Sequence, residues 1–343
     1  MNIQIIGNEI LFPRDSAGAA IAMDYLHLLR KINSTRIKIT SLRRSYRREF
    51  LDIEYIGGRT NIDIESIVVG RNTISLIDEL KILKSINKDN IVIDVNLRSL
   101  YIPLIRRNKF IKIIYHKSNK RYIHLASLLY DKVITTYNYN DKTVYIPPPI
   151  NTDFFRPLNN NPKEILILYI GPLFHPRFPM RTILDSLVKL NKIIDYKAIF
   201  YTTMRHHTDK IWIKEFKNKV NKLQLTNVRI LNKILSEKEK LTSYDNATML
   251  LYTIRPVEIA HPPISVLEAM SCGTPVIISS AIGFNDVADK RLIVDINSSD
   301  NLVSSILYVV DNYKELSTKS RKIVEKKYSY RNLTDKVINI LET

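Results

Sequence analysis

The chain has 343 residues, 45% of them hydrophobic, and a formal net charge of +18 at pH 7. That length is more than one core of ordinary size uses, so two domains are expected, and the charge favours an anionic partner: nucleotide, phospholipid surface or nucleic acid. The single cysteine, Cys272, excludes an intrachain disulfide, the start MNIQIIGNEILFPRD lacks a basic and apolar leader pattern, and no apolar run nears the ~18 residues of a membrane span, which together point to a cytoplasmic protein.

Strand-like and helix-like segments alternate from the start. MNIQIIG (1–7) reads as a strand closed by glycine, GAAIAMDYLHLLRKI (18–32) has helical apolar spacing, and IKITSL (37–42) reads as a strand again, giving a βαβ unit. Further strand-like runs are IVVG (67–70), NIVIDV (90–95), IKIIYH (111–116), KVITT (132–136) and VYIP (144–147). The second half repeats the scheme with strands at 164–171, 196–202, 228–231, 247–253 and 275–279, and helices at 179–193, about 208–223 and after Pro263. This alternation predicts an α/β protein of two doubly wound domains. The Pro- and Asn-rich stretch IPPPINTDFFRPLNNNPKE (146–164) is the candidate linker, which sets the expected units at 1–150 and 151–325, followed by a closing helix at 326–343.

The stretch EIAHPPISVLEAMSCGTPVI (258–277) carries the most chemistry. Pro262 and Pro263 suit a first helical turn, whose amides have no internal partner, and Gly273 and Pro275 end the helix after about two turns. The amides of Ile264, Ser265 and Val266 leave the helix start with partial positive charge, which suits a phosphate or a sugar oxygen. Glu268 stands one turn further in, on the side of Ser265. A carboxylate at such a junction does not favour phosphate; it either accepts hydrogen bonds from the vicinal hydroxyls of a ribose or is a solvated or capped helix glutamate.

PPISVLEAMSCGTPVIIS, followed by GFNDV, resembles the signature of the retaining GT-B glycosyltransferases of glycosyltransferase family 4. There a Glu, seven residues and a second Glu precede an Ala-Met-x-x-Gly-x-Pro-Val-Ile run. GPLFHPR (171–177) stands in the place of the family's Gly-Arg-Leu-x-x-x-Lys loop, and IPPPINTDFFRP (146–157) resembles its interdomain Pro-Asn-Gly-Val-Asp segment. IIYHKS (113–118) is similar to the strand-end histidine of the N-terminal domain, and YSYRNLTDKVINIL (328–341) to a closing helix that crosses back to that domain. The resemblance covers roughly residues 110–343 and is thin before them. It implies a GT-B fold of two Rossmann-like domains facing a cleft, with a nucleoside-diphosphate sugar as co-substrate and no other cofactor.

Residue by residue, the resemblance implies that Glu268 binds the donor's ribose and that the amides of Ile264, Ser265 and Val266 hold its distal phosphate or sugar. Arg177 takes the place of the lysine that neutralises the diphosphate, in the loop that begins at Gly171. His116 would lie under the transferred sugar, with an ordinary strand-end histidine as the alternative, and Gly18 near the phosphates, with a helix-start glycine as the alternative. The family's first glutamate falls on Ala260, with Glu258 the nearest carboxylate, the loop arginine falls on Pro172, and Asp286 replaces a glutamate. Both an enzyme with an unusual donor and a catalytically degenerate binder of nucleotide sugar or polyanion fit these departures.

Other chemistry finds little support. The sequence has no Asp-x-Asp, Gly-x-x-x-x-Gly-Lys or dinucleotide glycine pattern, and neither Cys272 nor His206 and His207 has partners at zinc spacing, so no metal site is expected. From Val95 to Tyr130 there are eight Lys or Arg and no acid, and SLRRSYRREF (41–50) adds four arginines. This basic face is either solvated or meets an anionic membrane where a glycan or lipid-linked acceptor is held; nucleic acid is the disfavoured third reading.

Overall fold

The structure is a computed structural model, and it describes residues 2–8, 36–44, 62–69, 83–88, 90–95, 108–114, 120–136, 143–158, 162, 164–173, 178–202, 207–255, 262–279 and 289–343. Gly18, His116, Arg177, Glu258, Ala260 and Asp286 lie outside the described residues. The chain divides into two compact units, Met1–Asn151 with Tyr328–Thr343, and Thr152–Lys327.

The first unit is built on a sheet of β1 (Asn2–Asn8), β2 (Arg36–Arg44), β3 (Ile62–Val69), β4 (Ile91–Val95), β5 (Phe110–Ile114), β6 (Lys132–Thr135) and β7 (Val144–Tyr145). Its order is β3-β2-β1-β4-β5-β6-β7, and every pair is parallel. Parallel strands are covered on both faces, which is why IVIDV and FIKII carry apolar residues on both sides of the pleat. Strand β3 starts five residues before the run at 67, because IDIES alternates acidic with apolar residues and is not a continuous apolar run. Helix α1 (Lys120–Leu129) packs one face with Ile123 and Ala126 against Ile6, Phe110 and Ile114.

That face also holds an ion pair. The β4–β5 register sets Asp94 opposite Lys112, and the Lys112 ammonium donates to Asp94 Oδ2 at 2.7 Å. The Tyr130 hydroxyl donates to the same oxygen at 2.6 Å, and the ammonium stands 5.2 Å from the Tyr130 ring centre. Lys112 is wholly buried and Asp94 nearly so. Burial pulls the ammonium below its usual pKa, and the Asp94 charge opposes that pull. The expected basic face is corrected accordingly: Lys112 belongs to the core, because its strand buries both faces and Asp94 lies just before the acid-free stretch. Lys109 is also engaged, donating to the Leu341 carbonyl at 2.8 Å.

The second unit repeats the winding. Strands β8 (Leu166–Ile170), β9 (Lys197–Thr202), β10 (Val228–Asn232), β11 (Met249–Tyr252), β12 (Val276–Ser279) and β13 (Ile293–Val294) form a parallel sheet in the order β10-β9-β8-β11-β12-β13. Its helices are α2 (Met180–Leu190), α3 (His207–Lys222), α4 (Glu237–Asn246), α5 (Ile264–Ser271), α6 (Ser299–Asp311) and α7 (Tyr313–Tyr328). One face of the sheet is closed by rings: Tyr169 stacks on Phe200 at 5.6 Å, and Phe178 meets Phe216 edge-on at 5.3 Å. In both sheets the strand order reverses beside the first strand, between β1 and β4 and between β8 and β11; ligands of doubly wound sheets bind outside the carboxyl ends at such a point.

The Pro-rich segment between the units is tied down on both sides of Asn151. Within the first unit, Ile150 donates to the Tyr328 carbonyl at 2.7 Å and accepts from the Tyr330 amide at 3.2 Å, at the start of α8 (Tyr330–Glu342). Within the second, the Leu158 amide donates to Asp245 Oδ1 at 2.6 Å. No helix among the described residues is long and apolar enough to cross a membrane.

Candidate functional site

Helix α5 lies beyond β11, the strand that pairs with β8 at the reversal of strand order. Only Ser265 among its eight residues is partly exposed, so the helix is embedded and its start and end are fixed tightly. Pro263 caps the start through its carbonyl, which accepts from the Val266 amide at 3.0 Å and the Leu267 amide at 3.2 Å. Among the described residues this leaves the amides of Ile264 and Ser265 at the positive end of the helix, whereas the Val266 amide, expected to serve a ligand, is already used.

The other end is a Schellman motif: the Thr274 amide donates to the Ala269 carbonyl and the Gly273 amide to the Met270 carbonyl, both at 3.0 Å. Gly273 has φ of +79°, and a Cβ there would stand 2.8 Å from Ser317 Oγ. Gly273→Ala is therefore expected to cost about 2 kcal/mol, from the left-handed backbone and the displaced serine. Urea unfolding measures it, and an unchanged midpoint would contradict the tight ending.

Glu268 is 1% exposed, which rules out the solvated helix glutamate. Its Oε2 accepts from the Tyr244 hydroxyl at 3.1 Å. Tyr244, at 0% exposure, is held in turn by the Phe155 ring, 6.3 Å between centres, and by Thr274, whose hydroxyl donates to the Tyr244 carbonyl at 2.7 Å. Burial first, and then the charges of Glu268 and Glu237, push the Tyr244 hydroxyl well above its usual pKa, so it stays a donor. Cys272 next to the helix end is buried, and burial with the nearby carboxylates pushes its thiol up, leaving it unreactive.

A second brace comes from α7. Arg321 donates through Nη1 to the Phe155 carbonyl at 2.7 Å and the Ser271 carbonyl at 2.6 Å, and through Nη2 to the Thr152 carbonyl at 3.0 Å. The cation thus sits at the negative end of α5 and joins that helix to the segment carrying Phe155. At the carboxyl end of β8, the Gly171 amide donates to the Tyr201 carbonyl at 3.1 Å, and the Tyr169 hydroxyl donates to the Pro172 carbonyl at 2.9 Å. A Cβ on Gly171 would come within 3.2 Å of that hydroxyl.

The structure therefore brings Ile264, Ser265, Val266 and Glu268 together on one short helix, and sets Gly171 at the end of the strand paired with β11. Sequence reasoning missed Tyr244 and Arg321. For Tyr244 a signal existed: Ser236 and Glu239 form a capping box that starts α4. For Arg321 none did, since the carbonyls that it braces, on Thr152, Phe155 and Ser271, are 50 or more residues away.

A probable sucrose-phosphate synthase of Thermosipho melanesiensis is 23% identical over 206 residues, 59% of this chain and 48% of that protein. O-antigen chain mannosyltransferase B of Escherichia coli is 35% identical over 77 residues, 22% of this chain and 20% of that protein. The matches thus take in about half or less of the length of these curated relatives. The Anabaena protein HepE, solved in complex with UDP, has a TM-score of 0.76 at 12% identity with 100% of both chains covered, so the two doubly wound units form a GT-B fold. Residues 151–329, which span the second unit and all of α5, match the family of glycosyl transferases group 1, and the chain belongs to that family.

Proposed function

We propose that the chain transfers a sugar from a nucleoside-diphosphate sugar to an acceptor hydroxyl with retention of anomeric configuration. The observation that carries this is the buried, braced Glu268 one turn behind the amides of Ile264 and Ser265. Glu268 accepts from the ribose hydroxyls, the two amides face the distal phosphate, and Gly171 lets the backbone come close. Arg177 neutralises the diphosphate, His116 and Gly18 face the sugar and phosphates, and Glu258 stands in for the carboxylate missing at Ala260. In the reaction the acceptor oxygen bonds to the anomeric carbon on the face from which the phosphate oxygen departs, and that oxygen takes the acceptor's proton. Catalysis then rests on positioning and on charge stabilisation at the departing phosphate, with no protein nucleophile and no metal.

The acceptor is a glycan or a lipid-linked glycan, with the protein cytoplasmic and peripheral at an anionic membrane in the second case. The observation that favours membrane contact is on α1, where Leu125 and Leu128 are 48% and 64% exposed beside the exposed Arg121. Release of nucleoside diphosphate from UDP-, GDP- and ADP-sugars in excess EDTA tests the reading. Release from one donor class, with product anomers matching the donor by proton NMR, is expected. A strict Mn²⁺ requirement would contradict metal independence; binding without release would leave the degenerate binder.

A further inference from the structure

The crossover from β10 to β11 is α4, ten residues long. One side of it faces α5: Tyr244 points that way and reaches Glu268. The opposite side, with Thr242, Ser243 and Asn246, borders a cavity of about 350 Å³ whose other wall is formed by strand residues including Leu168, Ile199 and Tyr201. That volume lies in the range of small-molecule sites, about 300–1,000 Å³.

The two walls differ in chemistry. The strand wall is aliphatic with one phenol ring, and the helix wall presents the hydroxyls of Thr242 and Ser243 and the amide of Asn246, with Lys238 and Glu239 towards the start of the helix. Lys233 and Glu239 at the cavity are joined to each other as an ion pair, which leaves neither as a free counter-charge for a ligand. Thr242 donates to the Lys238 carbonyl at 3.1 Å, whereas the Ser243 hydroxyl, the Asn246 amide and the Tyr201 hydroxyl make no hydrogen bond among the described residues. An acyl chain would cover these three groups without satisfying them, at about 1–3 kcal/mol for each one buried. A neutral ring with one C–H face and a rim of hydroxyls meets both walls at once: the C–H face lies on Tyr201 and the aliphatic side chains, and the hydroxyls pair with Ser243 and Asn246.

We propose that this cavity is a glycan-binding subsite, separate from the nucleotide site because it lies on the opposite side of α4 from Tyr244. It recognises a neutral pyranose unit and gives the chain a second hold on a carbohydrate.

The test is saturation-transfer NMR of the full chain with methyl α-D-mannopyranoside, methyl β-D-glucopyranoside and maltotriose, with and without saturating UDP. Transfer to the C–H protons of at least one probe, unaffected by UDP, is expected. Tyr201→Ala and the surface pair Ser243→Ala/Asn246→Ala should each weaken it about fivefold or more, as the loss of a packing face or of two hydrogen bonds implies. Circular dichroism melting shows whether either variant remains folded; the surface pair carries the test if Tyr201→Ala does not. No transfer to any probe, transfer abolished by UDP, transfer equal to wild type in the folded variants, or uptake of laurate in place of all three sugars would overturn the proposal.

Discussion

Lys112→Met is expected to cost about 3–5 kcal/mol of stability. The charge removed is the counter-ion of Asp94, whose carboxylate is 3% exposed and takes both the Lys112 ammonium and the Tyr130 hydroxyl on one oxygen. Methionine fills a similar volume, so the loss reports the stranded carboxylate more than a cavity. The double variant Asp94→Leu/Lys112→Met should recover much of it, because an apolar pair of similar volume replaces a buried ion pair at little cost, while Tyr130 keeps a residual penalty of about 1–3 kcal/mol for its lost acceptor. Urea unfolding of the wild type, both single variants and the double variant gives the coupling energy. A single-variant cost below about 1 kcal/mol would mean that the pair is hydrated and not part of the core.

Arg321→Lys is expected to cost roughly 2–4 kcal/mol although the charge is kept, since hydrogen bonds to a charged group contribute about 1.5–3 kcal/mol and several are lost together. One guanidinium reaches the carbonyls of Thr152, Phe155 and Ser271; a single ammonium cannot span that fork. The effect should be local as well as global. Amide hydrogen exchange of residues 152–158 is expected to quicken in Arg321→Lys, and that of β4 and β5 in the other unit to stay as it is. Unchanged exchange at 152–158 would mean that the Leu158–Asp245 bond, 2.6 Å long, holds the segment by itself.

Much of the fold was legible because parallel sheets announce themselves. Runs such as NIQIIG, IVIDV and FIKII carry apolar residues on both faces, and their alternation with helical spacing indicates doubly wound α/β domains. The prolines, glycine and spacing around α5 were legible for the same reason: Pro263 and Gly273 each suit one backbone position. What was not legible was register. Asp94 opposite Lys112 depends on how β4 and β5 align, and reading the acid-free stretch from Val95 onward made a core lysine look like part of a surface patch. The braces of Glu268 were hidden too, because Tyr244 and Arg321 act across 24 and 50 residues, on Glu268 and Ser271, and local pattern carries no information at that range. The buried state of Glu268 follows from the same contacts, so the sequence left open a solvated side chain that the packing excludes.

The account stands on a nucleoside diphosphate held at the start of α5 with its ribose on Glu268. Calorimetric titration of UDP, GDP and ADP into the wild type and Glu268→Gln tests this most directly. The amide keeps the size of the carboxylate but is the poorer acceptor, so one of the three nucleotides should bind the wild type and bind the variant about tenfold or more weakly, with melting of the variant confirming that it is folded. Equal affinity in the two proteins, or no binding of any nucleotide to the wild type, would contradict it.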